Sequence, residues 1–238
     1  MINFEDIPYR TVDGHILEGR LYRPNSPNGK WVVDVHGGAW SSGDRLNNAV
    51  IHNDLTANGV GVFALDFRLS DVAQYPIPVQ DVSWGVRWFK DNLRALGIHA
   101  SSIGGLASSS GAQQMGLVAL SPDGEDWTPA APEIGDADSS LDFFVAAWPI
   151  FDPLRRYHLM RQIGNDRLIA AHDACLQSIE CLQRYVGVLT RLYSAFSDRC
   201  VLSKEGISGL REAGCAPAGF MRSLCDRKAR WNYIYLTQ

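Results

Sequence analysis

One stretch of small residues limits what this chain can fold into. Residues 103–112 read Ile-Gly-Gly-Leu-Ala-Ser-Ser-Ser-Gly-Ala, and a segment of helix-forming composition follows from Gln113. A short apolar run that enters a cluster of tiny residues and leaves it as a helix predicts a strand, a very tight turn and a helix. Ser109 lies at the tip of that turn when residues 107–111 are aligned with Gly-x-Ser-x-Gly, the nucleophile elbow. The alternative is a serine-rich loop that only turns the chain, because Ala107 replaces the first glycine.

A second motif decides between these alternatives. The apolar run Trp-Val-Val-Asp-Val over residues 31–35 predicts a buried strand, and His36-Gly37-Gly38 follows it directly. Two glycines after a strand can leave backbone N–H groups free to bind a developing oxyanion. Both motifs follow predicted strands and occur in the order that a serine hydrolase requires. Together they predict a nucleophilic serine at position 109.

The two motifs resemble those of the α/β-hydrolase superfamily, in particular its His-Gly-Gly branch of hormone-sensitive-lipase-like esterases and arylformamidases. The residues that carry the resemblance are His36-Gly37-Gly38-Ala39-Trp40, Asp66-Phe67-Arg68-Leu69, Tyr75-Pro76-Ile77-Pro78 with Asp81, Ala107 to Gly111, and Trp148 to Pro153 with Arg156 and Tyr157. The resemblance covers residues 5–174. It implies an α/β fold, a mostly parallel twisted sheet with helices on both faces, incomplete at its C-terminal strands.

The resemblance also implies a chemistry, the cleavage of a carboxylic ester through an acyl-enzyme. The implied nucleophile is Ser109, and His36 is implied to brace the loop. The implied oxyanion hole consists of the N–H groups of Gly37, Gly38 and Ser110, with that of Ala39 as a further candidate. The family implies no cofactor, no metal, and a small-molecule acyl ester or amide as substrate. Arylformamidase-type amide hydrolysis is the alternative, because Trp40 fits the His-Gly-Gly-x-Trp form of the loop.

The acid and the histidine of the triad have no clear candidates. In this superfamily both follow the serine in chain order, and after Ser109 the sequence contains His158 and His172. Both lie in or beside a lid-like segment near 150–174, ahead of the strands that would carry the acid and the base. Three interpretations remain: an esterase with an altered C-terminal part and little or no activity, a non-catalytic ligand-binding descendant, or an enzyme with an unusual base such as His172.

The composition changes abruptly near residue 174. Residues 1–174 contain 13 basic and 21 acidic residues and all 6 histidines, whereas residues 175–238 contain 9 basic and 5 acidic residues and all 5 cysteines. An odd number of cysteines without zinc-site spacing argues against both a disulfide framework and a zinc site. We therefore expect an α/β-hydrolase core over 1–174 and an atypical tail over 175–238.

Charge and hydropathy narrow the class of partner. The net charge of −4 argues against a nucleic-acid partner, which would require a basic face. The N-terminus has neither the positive region nor the apolar region of a signal peptide, and no apolar run approaches the length of a membrane span. A soluble, cytoplasmic protein is the expectation, and the sequence does not indicate its oligomeric state.

Periodicity and turn signals place the other elements. The predicted elements are an antiparallel strand pair over 4–9 and 16–22, strands over 60–65, 141–148 and 231–236, and helices over 45–58, 78–96 and 179–196. Asp34, in the middle of the predicted strand 31–35, has no explanation in the pattern.

Overall fold

A computed structural model of the chain describes residues 3–128, 135–150, 152–176, 201–203 and 233–237. The strands are β1 (Asn3–Val12), β2 (His15–Arg23), β3 (Lys30–Val35), β4 (Gly61–Leu65), β5 (Ser102–Ser108), β6 (Phe143–Ala147), β7 (Val201–Ser203) and β8 (Tyr233–Thr237). The helices are α1 (Ala49–Ala57), α2 (Ile77–Asn92), α3 (Ser109–Leu120), α4 (Pro153–Ile163) and α5 (Asp166–Leu176). The strands form one sheet in the order β1-β2-β4-β3-β5-β6-β8-β7.

An antiparallel hairpin lies at one edge of the sheet. β1 and β2 pair with Val12 opposite His15, and Asp13 and Gly14 between them have φ angles of 49° and 77°. A two-residue hairpin turn of type I′ has positive φ angles at both central residues, and an Asp-Gly pair adopts them readily. The predicted strand pair and its turn are confirmed.

The middle of the sheet is parallel and positions the site. β4, β3, β5 and β6 are parallel to one another. Val35, the last residue of β3, is paired with Ala107 near the end of β5. The loop after β3 and the turn after β5 therefore leave the same edge of the sheet side by side. Ligand sites of open α/β sheets lie at this carboxyl edge.

Helices cover both faces of the sheet. Leu55 of α1 packs in one apolar cluster with Val32 of β3. Val82 of α2 and Met115 of α3 belong to a second cluster that includes Val33. Because successive residues of a strand point to opposite faces, the two clusters lie on opposite sides of β3. None of the helices in this described part of the chain has the length and hydrophobicity needed to span a membrane.

The helix predicted over 45–58 is shorter than expected. α1 begins at Ala49, because Arg45 is held outside it by three carboxylates. The Arg45 guanidinium lies 2.9 Å from Asp6 Oδ1, 2.8 Å from Glu18 Oε2 and 2.7 Å from Asp66 Oδ2. These ion pairs fix the segment before α1 against the hairpin edge of the sheet.

The described parts of the tail continue the sheet with a change of direction. β8 overlaps the strand predicted over 231–236 and pairs antiparallel with β6, and β7 is parallel to β8. The parallel arrangement of the centre therefore ends at β6. The helix predicted over 179–196 lies outside the described residues.

Candidate active site

The turn after β5 has the geometry of a nucleophile elbow. Ser108 is extended, with φ −123° and ψ 142°, and Ser109 at the start of α3 has a φ angle of 51°. A positive φ is uncommon for a residue with a side chain, and it persists where surrounding contacts enforce it. The helix begins at Ser109, earlier than the predicted start at Gln113. The strand, tight turn and helix predicted from the small-residue cluster are therefore present.

Gly111 shows why this turn requires small residues. A Cβ atom at this position would lie 2.1 Å from the carbonyl oxygen of His36 and 2.5 Å from that of Val35. Both oxygens belong to the backbone at the end of β3, which cannot shift as a flexible side chain can. The elbow therefore packs directly against the residues that lead into the His-Gly-Gly loop.

The His-Gly-Gly loop lies against Ser109 and bonds to its neighbours. A Cβ atom on Gly37 would lie 3.1 Å from Ser109 Cβ. The Gly37 N–H donates to Ser108 Oγ at 3.0 Å, so this predicted oxyanion donor already has an acceptor within the protein. The Trp40 N–H donates to Ser110 Oγ at 3.2 Å. The sequence motifs gave no sign of these two bonds.

Other N–H groups also lie beside Ser109. Those of Gly38 and Ala39 have no hydrogen-bond acceptor among the described residues. The Ser110 N–H lies in the first turn of α3, where a helix supplies no acceptor of its own. Free N–H groups at a helix N-terminus attract negative charge. The site therefore offers hydrogen-bond donors to an anion close to Ser109.

His36 is buried and bonds within the loop. Its Nδ1 lies 2.6 Å from the Gly37 carbonyl oxygen, and its ring stacks on Phe67 with centroids 4.4 Å apart. Burial lowers the pKa of His36, because a buried site disfavours the charged ring. A neutral His36 donates from Nδ1 to the Gly37 carbonyl, a contact suited to the bracing role that the sequence predicts.

The two later histidines are not hydrogen-bonded to Ser109 within the described residues. His158 is exposed on α4. His172 is buried on α5, where its Nδ1 lies 2.6 Å from the Leu168 carbonyl oxygen and its ring packs edge-on against Trp40, with centroids 4.9 Å apart. Burial lowers the pKa of His172. Its Nε2 has no partner among the described residues.

Asp34, unexplained by the pattern of β3, has two side-chain partners. His52 Nε2 lies 2.8 Å from Asp34 Oδ2, and Asn48 Nδ2 lies 3.1 Å from each carboxylate oxygen. Asn48 and His52 are four residues apart at the start of α1, so both face the same side of the helix. That spacing is the signal by which sequence reasoning could have found this network.

The Asp66-Phe67-Arg68 turn carries a second buried charge network. Arg68 Nε lies 2.8 Å from Asp81 Oδ2, and Arg68 Nη1 lies 2.7 Å from Asp13 Oδ2. Asp81 is fully buried, and a buried carboxylate requires such partners. These contacts join the turn to α2 and to the hairpin, and they give Arg68 a structural role.

Comparison with known proteins identifies the family. The BD-FAE family model matches residues 20–152. This range is more than half of the chain and includes both the His-Gly-Gly loop and the elbow. The chain belongs to the BD-FAE family. Its recognition as a member of the α/β-hydrolase superfamily, which the two motifs resemble, is confirmed.

Two curated esterases resemble this BD-FAE chain in part. It is 31% identical over 111 residues to an ethyl acetate hydrolase from Pseudomonas putida, a match that covers 44% of this chain and 35% of that protein. It is 29% identical over 111 residues to an arylesterase from Saccharolobus solfataricus, covering 46% of this chain and 36% of that protein. The matched part of the chain spans about a third of the length of these relatives.

Solved structures show the same fold. The propionate-bound esterase Est2 from Thermogutta terrifontis matches with a TM-score of 0.56 and 24% identity, over 69% of this chain and 60% of that chain. Its butyrate-bound form matches with a TM-score of 0.57 and 22% identity, over 69% and 61%. The architecture of the BD-FAE chain is therefore that of the α/β-hydrolases, and the predicted fold class is confirmed.

Proposed function

We propose that the chain hydrolyses carboxylic esters through an acyl-enzyme on Ser109. The observation that carries this proposal is the position of Ser109, at positive φ on the elbow tip and next to a glycine loop. In the part of the chain that the structure describes, the Gly38 and Ala39 N–H groups of this loop have no acceptor. Membership of the BD-FAE family and the partial matches to two esterases support it. The substrate class is a small acyl ester.

In the proposed reaction, Ser109 Oγ attacks the carbonyl carbon of the ester, and the carbonyl oxygen becomes an oxyanion. We assign the N–H groups of Gly38, Ala39 and Ser110 to this oxyanion, because Gly37 donates to Ser108 instead. With no histidine assigned, solvent water takes the proton of Ser109 Oγ and returns one to the leaving oxygen as the intermediate expels the alcohol. A second water then attacks the acyl-enzyme, which releases the carboxylic acid and restores the Ser109 hydroxyl. Each oxyanion donor typically contributes about 3–4 kcal/mol of transition-state stabilisation.

The expected rate is low, because no acid–histidine pair is assigned. A serine with its oxyanion hole but without its base retains an acceleration of roughly 10³–10⁴ over the reaction in water. The turnover number should therefore lie below the ordinary enzyme range of about 1–10³ per second. The ligand-binding alternative predicts ester binding with no turnover at all.

The arylformamidase alternative rests on Trp40, which has another role in this structure. The Trp40 side chain is buried, and its Nε1 donates to Gln113 Oε1 at 3.0 Å. The ring thus holds the loop against α3. This contact accounts for a tryptophan at position 40 without an amide substrate. We therefore propose ester hydrolysis ahead of amide hydrolysis.

A chromogenic short-chain acyl ester tests the proposal. The wild-type protein should hydrolyse it slowly, and Ser109→Ala should reduce the rate to that of buffer. Ser101→Ala is the matched control. Ser101 precedes the first residue of β5, at the end of the strand away from Ser109, and donates to the Gly29 carbonyl. This variant should retain the wild-type rate. Equal rates for the wild type and Ser109→Ala would refute the proposal.

A further inference from the structure

The His-Gly-Gly loop is held in a conformation that its residues do not favour. Gly38, Ala39 and Trp40 have consecutive φ angles of 124°, 53° and 61°. Positive φ angles are uncommon for residues other than glycine and persist only where the surrounding structure enforces them. The Ser41 and Ser42 N–H groups donate to the Gly38 carbonyl and close the turn from within, and contacts from outside the loop add to these bonds.

Two such contacts come from the serines on either side of Ser109. Ser108 Oγ accepts from the Gly37 N–H at 3.0 Å, where the loop begins. Ser110 Oγ accepts from the Trp40 N–H at 3.2 Å, where the stretch of positive φ angles ends. Both serine side chains are buried, so water does not compete for these bonds. The two hydroxyls therefore fix both ends of the segment that carries the free N–H groups.

A buried network reaches Ser108 from β3 and α1. Asp34 and His52, which are 1% and 0% exposed, are bonded to each other, and Asp34 also accepts from Asn48 Nδ2. Asn48 Nδ2 lies 3.4 Å from Ser108 Oγ, and Asn48 Oδ1 lies 3.5 Å from the same oxygen. The Asp34 carboxylate thus fixes the Asn48 amide, and the amide faces the Ser108 hydroxyl.

Asn48 departs from the usual behaviour of its position. It is the N-cap residue of α1, where an asparagine side chain normally accepts a hydrogen bond from the first turn of the helix. Asn48 makes no such side-chain bond, and its amide is directed to Asp34 and Ser108. Such a departure from the usual N-cap hydrogen bond is expected at residues with a role in a functional site.

We propose that Ser108 and Ser110 are positioning residues that hold the oxyanion loop in its binding shape, and that the Asp34–His52–Asn48 network orients Ser108. The inference deepens the proposed function of Ser109 and rests on it. The Ser108 hydroxyl directs its proton toward Asn48 Oδ1, which leaves a lone pair for the Gly37 N–H. The run of three serines then has a purpose at each position: one nucleophile and two anchors.

Amide hydrogen exchange tests the anchors without requiring catalysis. In Ser108→Ala and Ser110→Ala, exchange in the peptide over residues 36–41 should rise roughly tenfold, about the effect of one lost hydrogen bond. Ser139→Ala is the matched control: Ser139 is buried and donates to the Pro122 carbonyl at 2.7 Å, away from the loop. It should leave exchange in this peptide unchanged. If Ser108→Ala does not fold, Ser108→Cys, with a weaker acceptor of similar size, takes its place.

The rate of labelling by a fluorophosphonate probe tests the consequence for the site. Ser108→Ala and Ser110→Ala should each lower it roughly tenfold, and Asn48→Ala should add nothing in the Ser108→Ala background, because it acts through Ser108. Unchanged exchange and labelling in both serine variants, or equal changes in Ser139→Ala, would overturn the inference. A wild type that is not labelled at all would count against the proposed function, and exchange alone would then decide the role of the anchors.

Discussion

The two sides of the site are held in place in different ways. On the nucleophile side, the His-Gly-Gly loop and the elbow leave neighbouring strands and bond to each other through Ser108 and Ser110. On the other side, His172 bonds to the Leu168 carbonyl of its own helix and meets the loop through a ring contact with Trp40. Hydrogen bonds therefore join the two motifs to each other, whereas a ring contact joins His172 to the loop.

This difference separates two stretches of chain that a hydrolase site of this superfamily would combine. The proposed nucleophile and the proposed oxyanion donors belong to two short motifs at the ends of adjacent parallel strands. In this superfamily the base comes from a later segment and meets the serine only through the complete tertiary structure. A chain can therefore retain the nucleophile half while the base half is altered.

The largest expected effect is on the free energy of unfolding, and it tests the packing of Gly111 against the end of β3. Gly111→Val should destabilise the protein by about 3 kcal/mol or more, because its side chain would overlap the backbone oxygens at the end of β3. Gly164→Ala is the control: Gly164 has a φ of 70°, but a Cβ atom there would meet no described atom within 4 Å, and a loss of about 1–2 kcal/mol is expected. Urea unfolding measures the free energy of unfolding of both variants. Equal losses of stability in the two would show that the elbow is not closely packed against β3.

A smaller effect concerns His172 and the stability of the protein at acidic pH. Because burial lowers the pKa of His172, the unfolded chain binds a proton below about pH 6.5 that the folded chain resists. The stability linked to this residue is full above that pH and is lost as the pH falls toward the folded-state pKa. His172→Gln should therefore reduce the loss of stability between pH 7 and 5, by at most about 1.4 kcal/mol per pH unit. Urea midpoints at both pH values check this, and equal losses in the two proteins would contradict it.

The smallest expected effect is on the rate at which a fluorophosphonate labels the protein when His172 is replaced. If His172 is a packing residue, His172→Gln should leave the rate of fluorophosphonate labelling within about twofold of the wild type, since a general base is worth roughly 10²–10⁴-fold. The exposed His158 provides the matched variant, His158→Gln, with the same expectation. A hundredfold loss confined to His172→Gln would instead support the interpretation that His172 is an unusual base.

The elbow and the loop could be predicted because their constraints are local. Gly111 must lack a side chain where two backbones meet, and a side chain on Gly37 would crowd Ser108 and Ser109. Such positions are visible as small residues after apolar runs. The Asp-Gly turn between β1 and β2 is visible for the same reason. The parallel order of the central strands follows from the family resemblance.

The anchors of the loop could not be predicted, because they depend on pairs that only the fold brings together. Ser108 and Gly37 are 71 positions apart, and no periodicity relates them. The start of α1 was missed for a similar reason, since the ion pairs of Arg45 reach three separate segments. The division into a core over 1–174 and an atypical tail over 175–238 stays a prediction.

The assignment of Ser109 as nucleophile is tested most directly by locating a covalent adduct. The wild-type protein is incubated with a fluorophosphonate, digested and analysed by mass spectrometry with fragmentation across residues 107–111. We predict one phosphonyl adduct, on Ser109, formed with loss of fluoride and absent from Ser109→Ala. An adduct on Ser108 or Ser110, an undiminished adduct in Ser109→Ala, or no adduct in the wild type would contradict the assignment.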